Sequence, residues 1–145
     1  MIYLAGSCST EQRTLMKSVA KNLRENGYVV YAPFELQIPD AWDYSQEDWA
    51  KMVFDIDVEA INKADIFLMI TPGRVGTAGT NWEQGYAYAK QKKVIVVQYT
   101  DADTSLMTYV GSTTFVNSSL DNLMDDIHKA LNTDCDKVSC KTVLT

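Results

Sequence analysis

Two carboxylates in this sequence stand where they could act together on a small molecule. Glu83 follows the apolar run Ile66–Ile70, which is typical of a buried strand, after a glycine-rich connection. The helix pattern containing Glu83 begins near Thr80 or Asn81, both suitable N-caps, so we expect Glu83 in or just before the first helical turn. Asp57 lies on the helical segment that leads into the same strand. Because ligands of open α/β sheets bind at the C-terminal ends of the strands, both carboxylates are candidates for one site.

Each carboxylate also has a purely structural explanation. Glu83 could complement the positive end of the helix dipole, and Asp57 could be a solvated helix acid, as we expect of Asp55 and Glu59. A dipole role alone does not account for the small residues around Glu83. The two glycines before it and Gly85 after it predict a helix that packs very close to the sheet, which favours a site.

The length and composition indicate a single globular domain. The 145 residues are 46% apolar and 22% charged, which suffices to bury a core without disulfides or metals. A net charge of -6 argues against a nucleic-acid polymer as partner. No apolar run approaches the roughly 20 residues of a membrane span, and the N-terminus is too short and uncharged for a signal peptide. We therefore expect a cytoplasmic protein that does not bind a membrane.

The cysteine and histidine content argues against a metal centre. The three cysteines, Cys8, Cys135 and Cys140, lack a C-x-x-C spacing, and His128 is the only histidine. We expect all three cysteines to be free thiols and no metal to be bound.

The elements that must position the carboxylates alternate between strand and helix along the chain. Strands are predicted at 2–6, 28–31, 66–70, 94–97 and 113–116, with helices between them and a last helix at 120–131. This alternation predicts an α/β fold, a three-layer doubly wound domain of the flavodoxin or Rossmann type with a five-stranded parallel sheet. The domain is expected to span residues 1–132, and residues 133–145 to form a polar, mobile tail.

Four segments of this sequence carry a resemblance to a known family. They are IYLAGS at 2–7, FELQIP at 34–39, FDIDVEAINKAD at 54–65 and GTNWEQGYAYAKQKKV at 79–94. In order and spacing the chain resembles the nucleoside 2-deoxyribosyltransferases over about residues 2–110, and the first and last segments are the more specific. The resemblance implies a base-exchange enzyme that needs no cofactor.

The resemblance implies three catalytic residues. Glu83 occupies the position of the family's nucleophile, which forms a covalent deoxyribosyl intermediate. Asp57 occupies the position of the acid that contacts and helps to protonate the base, and Tyr3 that of the tyrosine that holds the nucleophile. A carboxylate suits this chemistry because breaking a glycosidic bond builds positive charge on the anomeric carbon. The acid role of Asp57 requires an apolar surround that raises its pKa.

The residues expected to bind substrate include two departures from the family pattern. Thr77 stands where the family often has a base-reading aspartate, and Ser105 stands where it tends to have an asparagine in a segment that contacts the sugar of a neighbouring subunit. The full set of expected contacts is Gly6, Ser7, Phe34, Thr77, Gly79, Trp82, Ser105 and Met107. Each aromatic side chain could instead belong to the core, which is the interpretation we favour for Trp49.

Three functions remain open at this point. The leading hypothesis is transfer of 2-deoxyribose between a nucleoside and a free nucleobase, by a homo-oligomer in which a neighbouring subunit completes the site. The second is hydrolysis of a 2-deoxynucleoside 5-monophosphate, with Gly6–Ser9 and Arg13 as the phosphate cradle, although that segment could be an ordinary strand-to-helix turn. The third is a module on the same fold that binds nucleosides without catalysis.

Overall fold

Five parallel strands form a single sheet at the centre of the molecule. The computed structural model describes residues 1–73 and 77–133. The strands are β1 (Ile2–Ala5), β2 (Val30–Tyr31), β3 (Ile66–Thr71), β4 (Lys93–Gln98) and β5 (Thr114–Asn117). They are all parallel and lie in the order β2-β1-β3-β4-β5. This arrangement confirms the predicted α/β fold, and it sets the C-terminal ends of β1 and β3 side by side.

Helices cover both faces of the sheet. They are α1 (Thr10–Glu25), α2 (Gln46–Lys63), α3 (Ala78–Ala89), α4 (Leu106–Val110) and α5 (Leu123–Leu131). The connection between β2 and α2 contains short 3-10 turns at Pro33–Glu35 and Ala41–Asp43. The predicted tail lies outside the described residues except for Thr133, as do Cys135 and Cys140, and Cys8 is a free thiol. Within the described residues, no helix is both long and apolar enough to cross a membrane.

The alternation of side chains along the strands divides the core into two layers. Leu4, Leu68 and Ile95 face the layer formed with α1 and α5. Tyr3 and Phe67, one residue earlier on the same strands, face the layer that contains α2 and α3. Since successive strand residues point to opposite faces, the register of β1 and β3 fixes which side chains reach the two carboxylate-bearing helices.

The start of α3 differs from the prediction. The helix begins at Ala78, and the Thr77 hydroxyl accepts a hydrogen bond from the backbone N–H of Thr80 at 3.4 Å, so the N-cap is Thr77. Glu83 is therefore in the second turn of the helix rather than the first. This position weakens the explanation of Glu83 as a dipole-complementing acid, because the dipole effect falls off within the first turn.

Two further predictions about packing are wrong. A Cβ on Gly85 would meet no atom within 4 Å, so Gly85 is not needed for a close approach to the sheet, whereas Ala87 is fully buried there. Trp49 is 40% exposed and is not a core residue. At Gly6, by contrast, a Cβ would lie 2.6 Å from the methyl carbon of Met16 and 3.2 Å from the backbone oxygen of Ile70, so close packing there favours glycine.

Candidate active site

Glu83 is held by a buried tyrosine of the neighbouring sheet. The Tyr3 hydroxyl donates a hydrogen bond to Glu83 Oε2, which leaves Oε1 facing away from this contact. Tyr3 is fully buried on β1, and its ring stacks on Phe67 of β3 with the centroids 5.5 Å apart. The rigid strands therefore fix the orientation of a carboxylate that the more exposed helix α3 carries.

Asp57 is held in the same way by a second tyrosine. The Tyr31 hydroxyl donates a hydrogen bond of 2.7 Å to Asp57 Oδ1. Tyr31 ends β2 and lies in register with Tyr3 on β1, and the two rings stack with their centroids 5.4 Å apart. Tyr31 is not among the site residues predicted from the sequence.

The two carboxylates line one cleft between α2 and α3. The cleft has a volume of about 310 Å³, which is within the size range of small-molecule sites. Its wall is mostly apolar, and it includes two of the predicted substrate contacts, Gly79 and Trp82. The lining residues are Ala50, Val53, Phe54, Asp57, Val58, Ile61, Gly79, Trp82 and Glu83.

Aromatic rings form the outer wall of the cleft. Phe54 lies against Trp82 with the ring centroids 5.1 Å apart, and Trp82 stacks on Tyr86 at 5.6 Å. Trp82 is 49% exposed and Phe54 is 50% exposed, so both offer an open aromatic face. A planar nucleobase could stack on such a face. Phe54 was not among the predicted contacts, although its position one turn before Asp57 places it on the same side of α2.

Burial in this cleft raises the pKa of both carboxyl groups. Desolvation raises the pKa of Glu83 to about 7, with the Tyr3 hydrogen bond acting to lower it and the Asp57 charge to raise it. Desolvation also raises the pKa of Asp57, against a lowering by the Tyr31 hydrogen bond. The apolar surround that the acid role of Asp57 requires is therefore present.

The arrangement has the parts of a two-carboxylate glycosidic site. With a pKa of about 7, Glu83 is ionised in a substantial fraction of molecules near neutral pH and can act as a nucleophile. Desolvation in the cleft disfavours the charged form of Asp57, which is the direction that a proton donor to a leaving group requires. Among the described residues, no group of three or more His, Cys, Asp and Glu side chains is arranged to hold a metal ion.

The turn after β1 is within electrostatic range of the Glu83 carboxylate. Desolvation and the Glu83 charge raise the pKa of the Cys8 thiol, which the guanidinium of Arg13 lowers. The Glu83 carboxylate and the Arg13 guanidinium therefore both influence the turn that contains Cys8. Ser7 Oγ accepts a hydrogen bond of 3.1 Å from the Ser9 backbone N–H, as in an ordinary turn.

Other predicted contacts lie outside this cleft. Phe34 lines a separate cleft of about 720 Å³ beside the basic side chains of α1. Ser105 and Met107 line a third cavity of about 420 Å³, on the side of α3 that carries Gly85. Thr77 is the N-cap of α3. Their roles in substrate binding remain predictions, because the described chain does not bring them together with Glu83.

A comparison with known families agrees with this geometry. The sequence profile of the family described as nucleoside 2-deoxyribosyltransferase matches residues 2–132. The chain belongs to the nucleoside 2-deoxyribosyltransferase family. The match to the deoxyribosyltransferase family covers all five strands and both helices that carry the carboxylates. It extends beyond residues 2–110, over which the resemblance was seen in the sequence.

Several solved structures share this fold, and one of them is a 2-deoxyribosyltransferase. A 2-deoxyribosyltransferase from Bacillus psychrosaccharolyticus is 30% identical, with a TM-score of 0.75 over 92% of this chain and 91% of that one. A conserved protein from Enterococcus faecalis V583 is 23% identical, with a TM-score of 0.70 over 88% and 96%. A CMP N-glycosidase from Clostridium botulinum is 18% identical, with a TM-score of 0.61 over 88% and 97%. Among curated protein sequences, none matches this chain.

Proposed function

We propose that this protein is a nucleoside 2-deoxyribosyltransferase that exchanges the base of a 2-deoxynucleoside through a covalent intermediate on Glu83. The observation that carries the proposal is that Glu83 and Asp57 line one apolar cleft, and that each carboxylate accepts a hydrogen bond from its own tyrosine. The Glu83 carboxylate can then attack the sugar while the Asp57 carboxyl group exchanges a proton with the base.

The first displacement breaks the bond between the sugar and the base. Oε1 of ionised Glu83 attacks the anomeric carbon, because Oε2 is engaged by Tyr3. The electron pair of the C–N bond goes to the base, which takes a proton from Asp57. The products are a deoxyribosyl ester of Glu83, a neutral free base and an ionised Asp57.

The second displacement reverses these roles with a different base. A nitrogen of the incoming base attacks the anomeric carbon and gives its proton to Asp57, and the ester bond to Glu83 breaks with its electron pair returning to the carboxylate. Each displacement inverts the anomeric centre, so the new nucleoside has the configuration of the first. A base stacked on the Phe54 and Trp82 wall would cover this side of the cleft against water, which favours transfer over hydrolysis.

A second candidate function is supported by the position of Arg13. Both the Glu83 carboxylate and the Arg13 guanidinium act on the pKa of Cys8, so the turn of residues 6–9 is within electrostatic range of the proposed nucleophile and of a cation. Among the described residues, Arg13 has no salt-bridge partner. A 5-phosphate could occupy this space, and the enzyme would then hydrolyse 2-deoxynucleoside monophosphates.

We also propose that the enzyme is a homo-oligomer in which a neighbouring copy completes the site. Met107 is 75% exposed on α4, and Leu106 beside it is exposed too. Exposed apolar side chains of this kind suit an interface between subunits. Such an interface would allow Ser105 and Met107 of one subunit to approach the cleft of the other.

One assay separates these functions. Thymidine or its 5-monophosphate is supplied with and without free adenine, and the products are separated by chromatography. The proposed transferase forms deoxyadenosine only when adenine is present. Release of thymine at the same rate with or without adenine, above all from the monophosphate, would instead identify a hydrolase. The Glu83→Gln variant is the control, because it keeps the side-chain shape and lacks the nucleophile.

A further inference from the structure

Two stacked tyrosines connect the two carboxylates of the cleft. Tyr3 and Tyr31 are register partners on adjacent strands, and their rings stack with centroids 5.4 Å apart and an angle of 27° between the planes. Each hydroxyl donates to a different carboxylate, Tyr3 to Glu83 and Tyr31 to Asp57. The role of Tyr3 follows from the family resemblance, whereas neither the resemblance nor the two proposed displacements give a role to Tyr31.

We propose that Tyr31 is a positioning residue that prepares Asp57 to give its proton to the departing base. The proposal rests on the proposed transferase function and adds a residue to it. Tyr31 does not touch the substrate in this account. It acts through Asp57, whose Oδ1 it occupies, so that Oδ2 is the oxygen that faces the base.

The hydrogen bond assists the reaction because it stabilises the product of proton donation. When the C–N bond breaks, the proton on Asp57 Oδ2 moves to the base nitrogen, and Asp57 is left as a carboxylate in an apolar cleft. A phenol that donates to that carboxylate offsets part of the cost of the buried charge. A hydrogen bond to a charged acceptor is stronger than one to the neutral acid, so the contact strengthens as the proton leaves.

The orientation of Tyr31 is set by the sheet rather than by the site. The backbone of Tyr31 pairs with β1, and its ring stacks on the fully buried ring of Tyr3. These two contacts preorganise the Tyr31 hydroxyl towards Asp57. The titratable groups around Asp57 are Tyr31 on β2, Tyr3 on β1, Glu83 on α3 and Cys8 in the turn after β1. Of these four groups, only Tyr31 donates a hydrogen bond to Asp57.

The test compares two leaving groups in the Tyr31→Phe variant. Thymidine has a leaving base that needs a proton, whereas 4-nitrophenyl 2-deoxyriboside releases an anion that needs none. If Tyr31 assists proton donation, kcat with thymidine falls by about tenfold or more, as expected for the loss of a hydrogen bond to a charged group. The rate with the nitrophenyl substrate stays within about twofold of the parent, since Glu83 and Tyr3 are unchanged.

The ratio of the two rates is the decisive readout. Both rates are measured on one preparation, so a smaller folded fraction lowers them equally and leaves the ratio unchanged. The Tyr28→Phe variant is the matched control, because it removes a tyrosine hydroxyl from the opposite face of the sheet, where Tyr28 packs near His128. An equal loss on both substrates, or no loss on thymidine, would overturn the role of Tyr31.

A double-mutant cycle with Asp57→Asn provides an independent measurement. Because Tyr31 acts through Asp57, adding Tyr31→Phe to the Asp57→Asn variant is expected to lower kcat with thymidine no further. A further tenfold loss in that background would contradict the proposal. Failure of the proposed function has a different signature, since the parent enzyme would then leave both substrates unchanged or form no new nucleoside from them.

Discussion

Replacing Glu83 with glutamine is expected to stabilise the folded protein at alkaline pH. The Glu83 carboxyl is partly buried, and desolvation raises its pKa from 4.5 to about 7 in the folded protein. Between these two values the folded state holds a proton that the unfolded state has released, so the free energy of unfolding falls as pH rises. Because glutamine cannot ionise, the free energy of unfolding of the Glu83→Gln variant does not fall with pH for this reason.

The size of the effect follows from the same pKa. A rise from 4.5 to about 7 costs the folded parent about 3 kcal/mol once Glu83 is fully ionised, and most of that cost appears between pH 5 and pH 8. The stability of Glu83→Gln relative to the parent should therefore improve by about 2 to 3 kcal/mol between pH 5 and pH 8. Any constant cost of the substitution cancels in this difference.

The assay is urea unfolding of both proteins at the two pH values, followed by circular dichroism. The control is Glu59→Gln, which removes an exposed carboxylate from α2 that forms an ion pair with Lys63 at 3.6 Å. The difference between Glu83→Gln and the parent is taken at each pH after fitting the free energy of unfolding. A difference that is the same at pH 5 and pH 8 would refute the claim that burial raises the pKa of Glu83.

Three other predictions address the neighbouring contacts. Tyr3→Phe removes the hydrogen bond that lowers the pKa of Glu83, so the acid limb of the kcat/KM profile moves to higher pH, and an unmoved limb would argue against the contact. Gln84→Met leaves two backbone carbonyls near α4 without their amide donor and should lower the free energy of unfolding by about 2 kcal/mol or more in urea titrations. Arg13→Gln should leave turnover of thymidine within about twofold of the parent, since Arg13 is outside the cleft. A large loss on the monophosphate alone would favour the second candidate function.

The fold was predictable because local signals in the sequence agree with one another. Apolar runs marked the central strands, and Ser45 is a residue type typical of an N-cap, whose hydroxyl accepts from the Asp48 N–H at 3.1 Å at the start of α2. The start of α3 was missed because three residues near it can cap a helix, namely Thr77, Thr80 and Asn81. Only the packed structure shows which of them takes that role, and Thr80 is buried instead.

The site was only partly predictable. Glu83 and Asp57 were candidates from their positions in the sequence, and the family resemblance added Tyr3 and a role for each of the three. The structure brings Glu83 into contact with Tyr3 and into one cleft with Asp57. Tyr31 was missed because β2 has only two residues, too few for its alternation to show which face a side chain takes. The face that Tyr31 takes is set by the pairing of β2 with β1, and the sequence of β2 alone does not indicate this pairing.

The most direct test of the account is mass spectrometry of the enzyme after acid quenching during turnover of thymidine without an acceptor base. The account predicts that the peptide containing Glu83 gains the mass of one deoxyribosyl group, and that the gain disappears when adenine is added before the quench. The Glu83→Gln variant should show no adduct. Continued formation of new nucleoside with no adduct on any peptide, or with the adduct on Asp57, would contradict the assignment of Glu83 as the nucleophile.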